Sequence, residues 1–552
     1  MIGILLMLNV LAQYFYGYVD MTEEKRYTLT EPTKKVVGNV KDNISVKILM
    51  NGEFPAAFKR LRTASIDMLK EFRSISPFIE YDFEDPNEGT VEQINQRRIS
   101  LAKDGINPVS LGVVENNESS KQIIYPYAIF RYGNRKQVVN LLEPADPRLG
   151  QDEILNNSVS LLEYKMANAV QKLFFEEEPI IAMLDGHGEL DEDRTKSFEK
   201  DFRENNFLTR RLILDSVPFV HSNIDILLIA KPSFAFSNED KFKIDQYLMN
   251  GGNVVFLIDK LTASLDSIQQ YGNYVPTNIE LDLDDLLFKY GARIESNLVL
   301  DLQCTKIPLR AGEQGGKPQF EFFPWFYHVL ASAGSDHPIV NNLERVNLFF
   351  PSSIDTIKTK AKIKKTPLLS SSAYTRYQRS PVRLNFEILR YSPDESKFNK
   401  EPQTLAMLLE GEFVSAFENR TTENMRNALE EIGSPFKATG NKGKVLVVSD
   451  GDLIKNLYKS STNEYSPMGY NAFESRVYEG NKAFIQNAIE YMIDKDGILA
   501  SRSKEVKLRM LDKVKAKTEK TMWQLINIAL PLFFLAIFGI LYNYIRRRKF
   551  AH

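Results

Sequence analysis

Apolar positions recur with three different spacings along this chain, and each change of spacing marks a different part. Uncharged apolar runs stand at both ends, MIGILLMLNVLAQYFYGYV over residues 1–19 and Met522 to Ile545 further on. At about 1.5 Å per residue they reach roughly 28 and 36 Å, enough to cross a hydrocarbon core of about 30 Å. Trp523 lies near one end of the second run and Tyr542 and Tyr544 near the other, at the depth that amphipathic rings favour. Pro531 and Gly539 lie inside it, where a membrane helix tolerates them better than a soluble one. Two transmembrane helices are therefore predicted. The first begins abruptly at Met1, with no basic segment before it and no small-residue cleavage site after it, which predicts an uncleaved helix and leaves room for a start upstream.

Between the runs, short apolar strands alternate with amphipathic helices, the pattern of an α/β protein. ISVKILM (Ile44–Met50) reads as a strand. A helix from about Pro55 to Ser74 follows, with Phe58, Leu61, Ile66, Leu69 and Phe72 near helical spacing. FIEYDF (Phe78–Phe83) alternates as a half-buried strand does. A helix near Val91–Lys103, strands at Val109–Val114, Ile123–Arg131 and Gln137–Leu141, and one long helix over Asp152–Phe175 complete the unit. That order is similar to the thioredoxin fold, but NGEFPAAF (Asn51–Phe58) stands where a redox CxxC would be, so redox chemistry there is excluded.

The apolar runs then become continuous. PIIAMLD (Pro179–Asp185), IDILLIA (Ile224–Ala230) and NVVFLID (Asn253–Asp259) alternate with helices near Asp193–Asn205 and Glu239–Met249, predicting a parallel sheet covered on both faces. Ser237 is placed to cap the second helix, and Gly251 and Gly252 to end it. KVLVVSD (Lys444–Asp450) has the same character and is expected to complete this sheet. Of the stretch between, Leu281–Ile294 reads as a helix, AGEQGGKPQ (Ala311–Gln319) as a mobile loop, and the basic run Lys358 to Lys365 as a solvated edge strand. The predicted partition is a first membrane helix (1–19), a thioredoxin-like α/β domain (20–175), a parallel α/β domain (176–310), an irregular insert (311–440) and a return segment completing the sheet (441–500). A basic juxtamembrane helix (501–520), the second membrane helix (521–545) and a basic tail (546–552) follow.

The charge count is divided on sidedness, but it excludes partners. Arg546, Arg547, Arg548 and Lys549 follow the second span directly, while Lys25, Arg26, Lys34, Lys35 and the stretch Lys504–Lys520 flank the interior. The positive-inside rule applies to short loops rather than long domains, so the tail governs: cytoplasmic termini and an exported interior. A formal net charge of −2 gives no footprint for nucleic acid. With one cysteine, Cys304, the chain builds no disulfide framework, and its five histidines show no metal-ligand spacing. No Walker motif is present, so ATP hydrolysis is not expected of this chain.

The sharpest candidate for chemistry is Asp185-Gly186-His187-Gly188-Glu189, at the carboxyl end of the first parallel strand, where open α/β sheets bind ligands. Asp185, His187 and Glu189 are read as a structural turn, a ligand-binding remnant or an acid–base pair. Asp450 and Asp452 form a second acidic strand end that would neighbour the first if both strands share a sheet. No cofactor, metal or catalytic residue is assigned.

Several blocks in order resemble one family. DMTEEKRYTLTEPTKKV after the first apolar run, GEFPAAFKRLRTASIDMLKEF, IAMLDGHGEL, YLMNGGNVVFLID and KVLVVSDGDLIKN are similar to the gliding-motility ABC-transporter auxiliary subunit, the G component, often labelled a substrate-binding protein. The resemblance implies a non-enzymatic, double-pass protein of the cell inner membrane with a large periplasmic domain. It also implies partners: a multi-span permease, a separate cytoplasmic ATPase, membrane lipid, and room for a dimer in the complex. The role implied is gliding motility and the associated protein secretion. The parallel domain would be similar to non-catalytic class I glutamine amidotransferases, whose nucleophile and histidine are not recognisable here. The alternative is a periplasmic solute- or polymer-binding module using the cleft near Asp185 and His187.

Overall fold

Strand alternation and helix caps organise two sheets in the computed structural model, which describes residues 28–503 and 519–550 apart from 53, 116–117, 144–149, 176, 315–316, 390–392 and 432. The first apolar run and most of the expected juxtamembrane helix lie outside the described residues. The chain forms two compact units, the second holding the C-terminal helix.

The smaller sheet has four strands in the order β2-β1-β5-β6: β1 (Ile44–Ile48), β2 (Ile79–Phe83), β5 (Tyr127–Tyr132) and β6 (Arg135–Asn140). Helix α1 (Glu31–Gly38) precedes them, and α2 (Ala56–Ile75) crosses from β1 to its parallel neighbour β2. A capping box at Thr90 and Gln93 starts α3 (Val91–Lys103). Strands β3 (Val109–Glu115) and β4 (Glu118–Ile124) pair only with each other among the described residues. The strand expected over Ile123–Arg131 is thus divided, because Pro126 has no N–H for a ladder. The long helix expected to Phe175 is likewise two, α4 (Gln151–Ser160) and α5 (Leu162–Leu173), meeting at Leu161 with ψ near zero.

The larger sheet is mixed. Parallel strands β7 (Ile180–Leu184), β8 (Leu208–Leu212), β9 (Ile226–Ala230) and β10 (Asn253–Leu257) are joined through α6 (Glu192–Glu204) and α7 (Asn238–Met249). The remaining strands are β11 (Cys304–Gln314), β12 (Lys317–Ala333), β13 (Val346–Phe349), β14 (Lys364–Ser370), β15 (Thr404–Val414) and β16 (Thr439–Val448). The order is β11-β12-β14-β15-β16-β10-β9-β7-β8, with β13 beside β12. Strand β16 lies parallel to β10 and antiparallel to β15, so it joins the two halves.

Continuous apolar runs are what a sheet covered on both faces demands, and alternate residues here enter different cores. Ile181, Met183, Leu228 and Val255 pack on one side with Phe198 and Phe202 of α6 and Phe484 and Ile485 of α8 (Glu479–Ile493). Ala182, Leu227, Ile229 and Phe256 face the other side with Ile244 and Leu248 of α7. The first of these cores also contains Val46, Phe130 and Val170, so the small sheet and the large one share an interior.

Three sequence expectations for the insert change. The stretch read as a mobile loop at Ala311–Gln319 is mostly strand, because β11 and β12 extend as a long hairpin up to the Gly315–Gly316 pair. The basic run is no edge strand: only Lys364 and Lys365 enter a strand, and β14 is internal, between β12 and β15. The helix expected over Leu281–Ile294 is short, Asp284–Tyr290, ending at Gly291 in the left-handed region, after which Ala292–Ile294 pairs as a strand.

Helix α9 (Lys520–Phe550) is the one described helix long and apolar enough to cross a membrane. Its apolar side chains, among them Leu525, Phe533, Phe538 and Ile540, are exposed in the isolated chain, as an anchoring helix requires.

Candidate functional site

Strand order reverses beside β7, with β8 on one side and β9 on the other, and at such a point open α/β sheets leave a crevice at their carboxyl ends. Here the loops after β7 and β9 bond to each other. The N–H groups of Ser233 and Phe234 both donate to the His187 carbonyl, at 2.8 and 2.9 Å.

His187 sits between a ring and two carboxylates. Its ring stacks on Phe236 with centroids 3.8 Å apart and planes within 4°. Nε2 lies 3.3 Å from Asp240 Oδ2 and Nδ1 3.6 Å from Glu189 Oε1, while the other Glu189 oxygen accepts from the His187 N–H at 2.7 Å. Asp240 belongs to the capping box of α7, taking the Ser237 hydroxyl at 2.6 Å. Burial opposes a charge on the imidazole, but the two carboxylates outweigh it, so His187 is raised above its ordinary 6.5. Burial would raise Asp240, but the Ser237 and His187 hydrogen bonds hold it below the usual carboxylate value.

The signs give a pH window. A raised histidine contributes stability that is complete below its unfolded value and is lost as pH rises through the folded one; a depressed carboxylate contributes above its unfolded value and loses it in acid. Thermal midpoints should therefore fall as pH climbs above 6.5. His187→Gln should flatten that slope, and an unchanged pH profile in this variant would count against the clamp.

The second acidic strand end is knotted around a lysine. Lys231 Nζ bonds to Asp452 and lies 3.0 Å from Asp259 Oδ2, and Lys455 Nζ lies 3.0 Å from Asp452 Oδ1. Gly451 N–H donates to Asp259 at 2.6 Å. Asp450, fully buried, accepts the N–H groups of Phe349 and Asp452 at 2.7 Å each. Burial opposes the Lys231 charge, but Asp259 and Asp452 outweigh it and hold the lysine above its ordinary value. Burial, then the charges of Asp259 and Asp452, raise Asp450 well above its ordinary value. Asp452 is lowered, burial being overcome by Lys231 and Lys455. The ammonium thus occupies the place a bound cation would take. Among the described residues no group of three or more His, Cys, Asp or Glu is arranged to hold a metal ion.

Of the five sequence candidates, the structure joins His187 to Glu189 and Asp450 to Asp452, each pair inside its own network. Asp185 is exposed, and its side chain forms no hydrogen bond or ion pair among the described residues. Cavities of about 680 and 810 Å³ lie elsewhere, and none of the five residues lines either. Cys304 is pushed up to about 12, chiefly by burial, which keeps it a thiol. His328, behind Asp452, is pushed down to about 3 by burial.

Sequence reasoning missed Lys231, Asp240 and Asp259. Asp259 was legible, since NVVFLID ends on an aspartate as PIIAMLD and KVLVVSD do. Lys231 and Asp240 carried no such signal.

Residues 178–488, more than half of the chain, match the family described as an ABC-type uncharacterized transport system. Residues 23–131 match a domain of unknown function, DUF7088. No curated protein matches. A solved structure titled "mmIFT52 N-terminal domain" aligns at 11% identity and a TM-score of 0.31, over 57% of this chain and 98% of its own.

Proposed function

Since this chain belongs to the auxiliary family of ABC-type uncharacterized transport systems, we propose that it is a non-enzymatic, membrane-anchored subunit of an ABC-transporter-like complex, working beside a separate permease and a separate cytoplasmic ATPase. Family membership supports association with a transporter. The apolar helix α9, whose C-terminal end carries Arg546, Arg547 and Arg548, supports anchoring with a cytoplasmic tail. The finer role, in gliding motility and its associated protein secretion with the large domain in the periplasm, rests on the sequence blocks described above.

The observation that carries the non-enzymatic reading is the Lys231 knot. Lys231 is paired with both Asp259 and Asp452 at the sheet's carboxyl ends, and an acid or base spent in such pairs is not poised for substrate. Tagged full-length chain, extracted in mild detergent, should bring down a multi-span membrane protein and a nucleotide-binding subunit in fixed ratio. Recovery of the chain alone, under conditions where the other two stay together, would overturn the assignment. Alanine at Asp185 should leave complex assembly and transport unchanged, whereas a solute site there would lose transport.

A further inference from the structure

Strand β6 is the outer strand of the small sheet, and four of its consecutive residues, Gln137 to Asn140, line the cavity of about 680 Å³. In an antiparallel pair, residues alternate between those bonded to the neighbour and those whose N–H and C=O point away. Leu141 N–H donates to Pro126 O, which sets the phase: with Ala128 opposite Val139 and Phe130 opposite Gln137, it is Lys136, Val138 and Asn140 that point outward. The Asn140 carbonyl is taken by Lys165 Nζ at 2.7 Å, consistent with this phase. The outward groups of Val138 form no bond to another element among the described residues. Gln137, 5% exposed, leaves its Nε2 without a partner. An edge with open backbone groups and a buried orphan donor, both bordering one cavity, is an incomplete hydrogen-bond system.

The opposite wall selects the chemistry. Most of its charges are paired internally, Lys172 with Glu490 at 2.6 Å and Lys482 with Asp201 at 2.7 Å, while Glu479 and Arg502 form no ion pair among the described residues; a strongly ionic ligand is thereby disfavoured. Side-chain amides remain: Asn157, Asn342 and Gln486 line the cavity, and their side chains form no hydrogen bond among the described residues. Amides offer a donor and an acceptor together, as a peptide backbone does. The one aromatic ring in the lining, Tyr164, is held by Glu490, covered on one face by Arg502 and buried, which leaves a poor stacking platform for a sugar.

We propose that this cavity receives an extended, uncharged segment of another polypeptide, which adds as a strand to β6 and meets the amides of α4 and α8 with its other edge. Outward groups recur every second residue, roughly 6.8 Å apart, and four residues of β6 accommodate about four residues of ligand. Specificity would favour small polar side chains, since the lining offers amides rather than deep apolar pockets.

The test uses full-length chain in detergent against an array of end-blocked hexapeptides built from Ser, Thr, Asn, Gln, Ala and Val, with maltohexaose and chitohexaose alongside. A subset of peptides should bind more tightly than ~1 mM. Methylating alternate amides of a bound peptide should weaken it at least about tenfold, because strand pairing needs those N–H groups. Val138→Pro removes one outward N–H where an edge strand tolerates proline, and should have the same effect; Val138→Ala should not. If Val138→Pro fails to fold, the methylated peptides on the unaltered protein decide. Absence of peptide binding, indifference to methylation, or binding of the oligosaccharides instead would each overturn the proposal.

Discussion

Replacing Lys231 with methionine should destabilise the large unit by about 3–5 kcal/mol, the cost of leaving a buried charge cluster without its counterion. Asp259 is partly buried and Asp450 fully buried, burial raises both, and Lys231 and Lys455 overcome burial to lower Asp452. Removing the ammonium leaves three carboxyl groups that cannot all stay ionised. The loss should shrink as pH falls and the carboxylates take up protons, so the variant and the unaltered protein should converge in acid. Thermal midpoints followed by tryptophan fluorescence between neutral pH and pH ~4 would show this convergence. A loss independent of pH would mean that packing, not charge, is the lysine's contribution.

Gly188→Ala should cost about 2–4 kcal/mol, combining left-handed backbone strain with overpacking. Its φ is +74°, and an added Cβ would lie 2.1 Å from the Ser233 hydroxyl and 2.9 Å from the Phe234 ring. The same two residues bond to the His187 carbonyl, so their exposed side chains must swing aside and disturb the contact between the loops after β7 and β9. Differential hydrogen exchange should show the Ser233 and Phe234 amides losing protection first. Wild-type protection in the variant would refute the clamp.

Sequence reading succeeded where a signal is local. The runs ending at Leu184, Ala230 and Leu257 are strands because β-sheet interiors need continuous apolar side chains, and Ser237 caps α7 because its oxygen reaches the Asp240 N–H at 3.1 Å. It failed where distant partners override local composition. Gly315 and Gly316 suggested a loop around a long hairpin, and the lysines from Lys358 onward suggested an edge although β14 is flanked on both sides. Asp450 and Asp452 were legible as an acidic strand end. Their meaning was not, because Lys231, which neutralises them, lies 221 residues from Asp452. Acidic strand ends read alone invite a cation; only the fold shows that the chain supplies its own.

The position of β16 between β10 and β15 also dictates the order in which this protein can be completed. Asn253 pairs with Lys444, so the apolar edge of β10 waits through synthesis of the whole insert before its neighbour exists. Until then Val254, Val255, Phe256 and Leu257 form an unprotected strand edge, the kind of surface that pairs with other nascent chains. A chain emerging in stages is therefore most prone to aggregate after residue 257 and before residue 448, and truncations ending within that interval should precipitate while those reaching past α8 remain soluble.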